Sequence, residues 1–145
     1  MPKSLTFDIS LEKLTYGGDA MGRLPDGRAV FVPFGLPGEL VRVRLTQEKQ
    51  SFARGQLLEV LQASPERIEP KCKHFFSPLP PGEGAGMRAC GGCHYQNISY
   101  EKQLQAKTEI LRDQLHRIGK IENPPVKAME ASPLEWNYRN HMQFH

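Results

Sequence analysis

The chain has 145 residues and no apolar run approaching the roughly 20 residues that a helix needs to cross a bilayer. A membrane-spanning helix is therefore excluded, and no membrane is expected as a partner. The opening residues, MPKSLTFDIS, alternate apolar and polar side chains and lack the apolar stretch of a secretory signal. A cytoplasmic location is the expectation. There is little excess of charge of either sign: 19 Lys and Arg face 16 Asp and Glu, for a net +3. That balance permits nucleic acid as a partner but does not argue for it, since mixed charge is mostly solvated surface. Cysteine is scarcer still, with only Cys72, Cys90 and Cys93. In a reducing compartment, so few thiols set so close together read as metal ligands rather than as a disulfide framework.

What the chain does have is a β pattern. Leu5, Phe7, Ile9 and Leu11 fall on one face of an extended segment, with Thr6, Asp8 and Ser10 on the other. Glycines at 17, 18, 22 and 27 then bracket short segments, and the turn in DGRAVFV leads into a β-rich run. FGLPGE reads as another turn. LVRVRLT places Val41, Val43 and Leu45 on one face and Arg42 and Arg44 on the other, and ARGQLLEVLQAS reads as one more strand. Four or five short strands in about sixty residues, joined by Gly and Pro turns, predict a small closed antiparallel barrel of OB-like type over residues 3–63. Pro65 and Pro70 mark its end, giving a first domain at 1–64.

A cysteine-bearing segment, 65–98, follows. Its stretch 77–87, SPLPPGEGAGM, holds enough proline and glycine to forbid a helix or strand, so an irregular mobile loop is expected between Cys72 and Cys90. From Ser99 the period changes. Tyr100, Leu104, Leu111, Leu115 and Ile118 recur at helical spacing, with Ser99 as N-cap, Glu101 in the first turn, Arg117 in the last and Gly119 as C-terminal cap. Leu104, Leu111 and Leu115 are expected to be core, and Lys102, Lys107 and Arg112 the solvated face. A Pro-rich connection and a final strand from about Tyr138 complete a third region, 99–145. The last residues stop inside an apolar–polar alternation, which reads as a chain continuing beyond His145. The fold class expected is α+β: a mostly β N-terminus, a cysteine-rich loop, one long helix and the start of an α/β region.

CGGC, residues 90–93, lets two sulfurs converge on one metal centre, and its glycines let backbone N–H groups approach that centre. Thiolates are soft anionic donors that suit both zinc and iron–sulfur clusters. His74 and His94 sit beside cysteines, so a Cys3His zinc site could close within the chain. Spacing alone leaves zinc and cluster open.

Taken together and in order, GRAVFVPFGLPGELVRVRL, SPERIEPKCKHF, CGGCHYQNISYEKQLQAKTEILRDQLHRIG and SPLEWNYRNHMQFH resemble the start of the bacterial RNA uracil-5-methyltransferase family. The resemblance covers nearly the entire chain. It implies a TRAM domain, a small OB-like RNA-binding barrel, followed by cysteines for a [4Fe-4S] cluster. On that pattern Cys72, Cys90 and Cys93 are cluster ligands, His74 and His94 are ordinary loop residues, and the fourth cysteine lies beyond His145. Seventeen residues separate Cys72 from Cys90, a wider spacing than is usual in the family. Loop closure entropy rises only slowly with length, so the insertion is compatible with the site. The resemblance further implies S-adenosylmethionine as methyl donor and ribosomal or transfer RNA as substrate. The donor-binding domain, nucleophile and base would all lie outside this chain, which alone should be inactive. A monomer is expected. The alternatives are a stand-alone RNA-binding module with a structural zinc, and a zinc-ribbon interaction protein.

For RNA contact the candidates are Arg42 and Arg44, on the polar face of one strand, and Arg139 in YRNH. Arg23 and Arg28 lie near them in sequence. Phe31 and Phe34 could stack on bases, but core packing is the simpler reading for both.

Overall fold

The computed structural model describes residues 5–75, 77–78, 87–88 and 92–141, with backbone alone at 77–78 and 87–88. Two compact units emerge, Met1–Ser99 and Tyr100–His145. Segment 65–98 thus falls in the same unit as the barrel.

Five strands close the barrel: β1 (Thr6–Leu14), β2 (Ala20–Arg23), β3 (Ala29–Val32), β4 (Leu40–Glu48) and β5 (Phe52–Gln62). Their order round the ring is β1-β2-β3-β5-β4. Alternation in the sequence does what water demands of it. Val41 and Val43 of β4 are fully buried, while Arg42 and Arg44 between and beside them face outward. Ile9 and Leu11 of β1, Val30 and Val32 of β3 and Leu57 of β5 complete the inner face. Each such aliphatic side chain contributes about 1.5–3 kcal/mol on leaving water. Wall thickness is limited at Gly22, where a Cβ would lie 2.5 Å from the Ser10 carbonyl oxygen across the β1–β2 seam.

In one respect the barrel departs from expectation. It is not antiparallel throughout, because β3 and β5 pair in parallel, Ala29 beside Phe52 and Phe31 beside Arg54. The reason is topological. Five strands in a closed ring cannot alternate direction all the way round, so one seam must be parallel.

Beyond β5 the chain folds back against the barrel. Ser64 to Arg67 closes a turn, Arg67 N–H donating to the Ser64 carbonyl (3.0 Å), and Arg67 forms an isolated antiparallel bridge with Ile98. The stretch expected to be irregular contains two short strands, β6 (Ser77–Pro78) and β7 (Met87–Arg88), paired antiparallel. Proline and glycine did not forbid a ladder here, since a two-residue pairing needs few free N–H groups. Residues 79–86 between them lie outside the described residues.

In the second unit, helix α1 (Tyr100–Arg117) forms as its spacing predicts. Its end differs in detail. Lys120, not Gly119, takes the left-handed conformation (φ 56°). Gly119 is needed for another reason: a Cβ there would meet the Leu115 carbonyl oxygen at 2.6 Å. Of the expected core leucines, Leu104 and Leu115 are half-buried, but Leu111 is 43% exposed, and the buried residue of the helix is Thr108.

Thr108 is buried because the following segment runs back along α1. Arg112 donates to the Val126 carbonyl (3.2 Å), Thr108 Oγ1 accepts from Met129 N–H (3.0 Å), and Tyr100 Oη accepts from Ser132 N–H (2.8 Å). The lengths agree: twelve residues of helix rise about 18 Å, and six extended residues span about 20 Å. No strand forms over 138–141, contrary to expectation, because a strand needs a β-ladder and none reaches this stretch among the described residues; residues 142–145 lie outside the description. Thr108→Val keeps the shape and removes the oxygen. Met129 N–H should then exchange with solvent markedly faster, with a stability loss of about 1–2 kcal/mol. Unchanged exchange at Met129 would show that the strap is held elsewhere.

Candidate functional site

The cysteine-bearing segments meet through backbone groups and the Gln96 side chain. Cys72 N–H donates to Gln96 Oε1 (3.2 Å), Ile68 N–H donates to the Asn97 carbonyl (2.9 Å), and Arg67 bridges Ile98. Gln96 is three residues after Cys93, so Cys72 and Cys93 stand on neighbouring segments. Cys72 is half-buried, Cys93 is exposed, and both are free thiols. Cys90 lies outside the described residues. Among the described residues no three His, Cys, Asp or Glu side chains converge on a common point. The donor chemistry, cysteine sulfurs on segments joined in this way, suits a sulfur-ligated metal group.

What anchors these segments to the barrel is a buried ion pair. Glu39, 1% exposed, receives both Arg67 Nε and Arg67 Nη2, the latter at 2.8 Å. The remaining carboxylate capacity goes to Leu36 N–H (2.9 Å) and Ser64 N–H (3.3 Å). Arg67 Nη2 also reaches the Phe34 carbonyl (2.9 Å), which accepts Asn97 Nδ2 as well (3.0 Å). Phe34 itself is held at φ 65°, a costly conformation for an aromatic residue, and its ring meets Phe75 edge-on at 5.2 Å. None of Glu39, Arg67 and Asn97 was singled out by sequence reasoning. A lone Glu in a turn and a lone Arg before Cys72 carry no pattern.

The arginines on the barrel surface are mostly engaged. Arg42 donates to Asp8 (2.9 Å) and Glu59 (3.0 Å), and Arg44 to Gln56 (2.8 Å). Arg28 is shared between Asp26 (2.7 Å) and Glu48 (3.1 Å), and Arg23 lies 3.8 Å from Glu12. Donation from the Arg28 backbone and side chain holds the Asp26 carboxyl below its ordinary range. Arg139 is exposed in the second unit. Phe31, like Phe34, is half-buried and packs edge-on against another ring, Phe52, at 5.9 Å.

At one end of the barrel a cleft of about 430 Å³ opens between Tyr16, the Gly17–Gly18 pair, Asp19, Phe34, Arg54 and His94. Gly18 (φ +93°) is required there, because a Cβ would lie 2.9 Å from the His94 Cβ. Asp19 accepts from Arg54 Nη1 (3.1 Å), yet burial pushes its carboxyl up, against the opposing pull of Arg54 and then His94. Burial, then the Asp19 charge, likewise raises the Tyr95 hydroxyl. A carboxyl raised in the fold binds its proton more tightly there than in the unfolded chain. Its contribution to stability is therefore full below the ordinary value of 3.8 and is lost as pH rises through the raised value. Asp19→Asn should remove that fall, so its stability relative to the parent should increase with pH across the window just above pH 3.8; a constant difference there would count against this burial effect.

These features define a class. Residues 5–58, which make up most of the closed five-strand barrel, match the TRAM domain family. The chain is also similar along nearly its whole length to proteins named as RNA methyltransferases. One from Nitratidesulfovibrio vulgaris is 39% identical over 97% of this chain and 27% of its own length. One from Aquifex aeolicus is 39% identical over 98% and 30%, and one from Thermotoga maritima 34% over 94% and 28%. The chain thus spans less than a third of the curated relatives it matches. No helix among the described residues is long and apolar enough to cross a membrane.

Proposed function

We propose that this chain is the RNA-grasping, cluster-holding part of an S-adenosylmethionine-dependent RNA uracil-5-methyltransferase of the cytoplasm. The observation that carries the reading is joint: a TRAM barrel and, in one continuous similarity, relatives named as RNA methyltransferases. In such an enzyme a cysteine thiolate adds to C6 of a uracil taken out of the RNA stack. C5 then takes the methyl of S-adenosylmethionine, and a base removes the C5 proton as the thiolate leaves. The thiolate and base belong to parts of the longer protein other than these 145 residues. Cys72, Cys90 and Cys93 are assigned instead to a [4Fe-4S] cluster, whose thiolate-bound irons would tie the two cysteine segments together beside the barrel.

The test has two arms. The longer protein should move a labelled methyl from S-adenosylmethionine to C5 of uridine in ribosomal or transfer RNA, and absence of that product would overturn the enzyme reading. This chain by itself should bind RNA without methylating it. Replacing Arg42 and Arg44 together with alanine should weaken that binding and flatten its salt dependence by about one to two units of slope. The fold adds a condition: Arg42 must leave Asp8 and Glu59 to reach a phosphate. Unchanged affinity and slope would make both arginines surface ion-pair residues only.

A further inference from the structure

If the barrel's arginines largely neutralise its own carboxylates, RNA needs another point of purchase, and the cleft at Tyr16 offers one. We propose that this cleft takes one unpaired nucleotide of single-stranded RNA, its base stacked on Tyr16 and its phosphate met by Arg54. The inference rests on the RNA-binding reading above and names where that binding occurs.

Tyr16 is the first reason. It is 79% exposed, whereas Phe31 and Phe34 are half-buried in edge-on pairs with Phe52 and Phe75. An aromatic ring left in water does nothing for the core, but its face is free to stack on any base. The floor beside it is open backbone at Gly17, where φ is positive and nothing stands within 4 Å of where a side chain would begin; Gly18 next to it is packed against His94. A flat ring can approach such a floor closely.

The opposite wall is held in place. Phe34 is held in its left-handed conformation with Arg67 and Asn97 both donating to its carbonyl and its ring set against Phe75. Strain maintained in this way is characteristic of sites that hold a ligand. The volume, about 430 Å³, lies within the range of about 300–1,000 Å³ usual for small-ligand sites.

Charge settles the orientation. Arg28 and Arg42 each serve two carboxylates, whereas Arg54 serves Asp19 and leaves 54% of its side-chain surface to solvent. It is the cleft's cation for a phosphate. Asp19 repels phosphate and accepts N–H donors, so it faces the base edge and favours bases that carry a ring N–H, such as uracil or guanine, over those that present only acceptors there. Duplex RNA keeps its bases stacked inside and has nothing to insert.

The experiment uses this chain and a fluorescent single-stranded oligouridylate of about ten nucleotides, followed by anisotropy over a range of salt. Tyr16→Ala should weaken binding about tenfold or more with the salt slope unchanged, and Tyr16→Phe should bind as the parent does. Arg54→Gln should lower the salt slope by about one. Tyr16 is a surface residue, so its variants keep the fold, which circular dichroism checks. Parent-like binding by both Tyr16→Ala and Arg54→Gln, with the parent itself bound, would overturn the cleft and leave the RNA reading standing. Failure of the parent to bind any RNA would overturn both. Equal binding of a duplex, equally weakened by Tyr16→Ala, would overturn base insertion. Uridine monophosphate that displaces the strand at equal nucleotide concentration would make this a free-nucleotide site and overturn RNA as its occupant.

Discussion

Arg67→Ala is expected to cost about 3–5 kcal/mol, because it strands the Glu39 carboxylate inside the protein. The Glu39 side chain is 0% exposed and Arg67 only 19%, so solvent cannot replace the lost partner. The same substitution removes a donor from the Phe34 carbonyl, while the backbone bridge from residue 67 to Ile98 stays in place. For a domain of this size the midpoint of thermal unfolding should fall by about 12 °C or more. Urea titration should show a lower midpoint. Glu39→Gln combined with Arg67→Met should recover part of the loss, since neither residue then carries an unpaired charge. A single variant that loses less than about 1 kcal/mol would mean that water enters the site and the pair contributes little.

Cys90→Ser or Cys93→Ser should each abolish iron binding altogether. The proposed cluster needs a thiolate on each iron, and a serine hydroxyl is a poor replacement for that soft anionic donor. Purified without oxygen and reconstituted with iron and sulfide, the longer protein should show the broad visible absorption of sulfide-to-iron charge transfer. Each substitution should remove it, whereas His94→Ala should leave it. This 145-residue chain, with three thiolates, should hold the group only in labile, oxygen-sensitive form. A colourless protein that binds one zinc and loses it on His94→Ala would reverse the assignment in favour of a Cys3His site. Barrel stability provides a control. Residues of β1 to β5 pack round their own core, so serine at 90 or 93 should leave the unfolding of the barrel close to that of the parent.

The barrel and the helix were legible in the amino-acid sequence because both depend on local periodicity. LVRVRLT alternates, so one face enters the core; Tyr100 to Arg117 repeats at helical spacing, so it forms a helix. Water enforces both patterns without reference to distant residues. The remaining features are decided by residues far apart in the chain. The parallel β3–β5 seam follows from closing a ring of five strands, which no single strand encodes. Leu111 looks like core, but the strap of residues 126–132 covers the Thr108 face instead. Glu39 and Arg67 are 28 residues apart, and each alone reads as surface charge. Tyr16 and Asp19 share the turn between β1 and β2, but Arg54 of β5 and His94 are far from it in the chain, and only the fold gathers all four round one cleft. Periodicity determined which segments would be strand or helix; closure and burial, which act between distant segments, determined which polar side chains would meet.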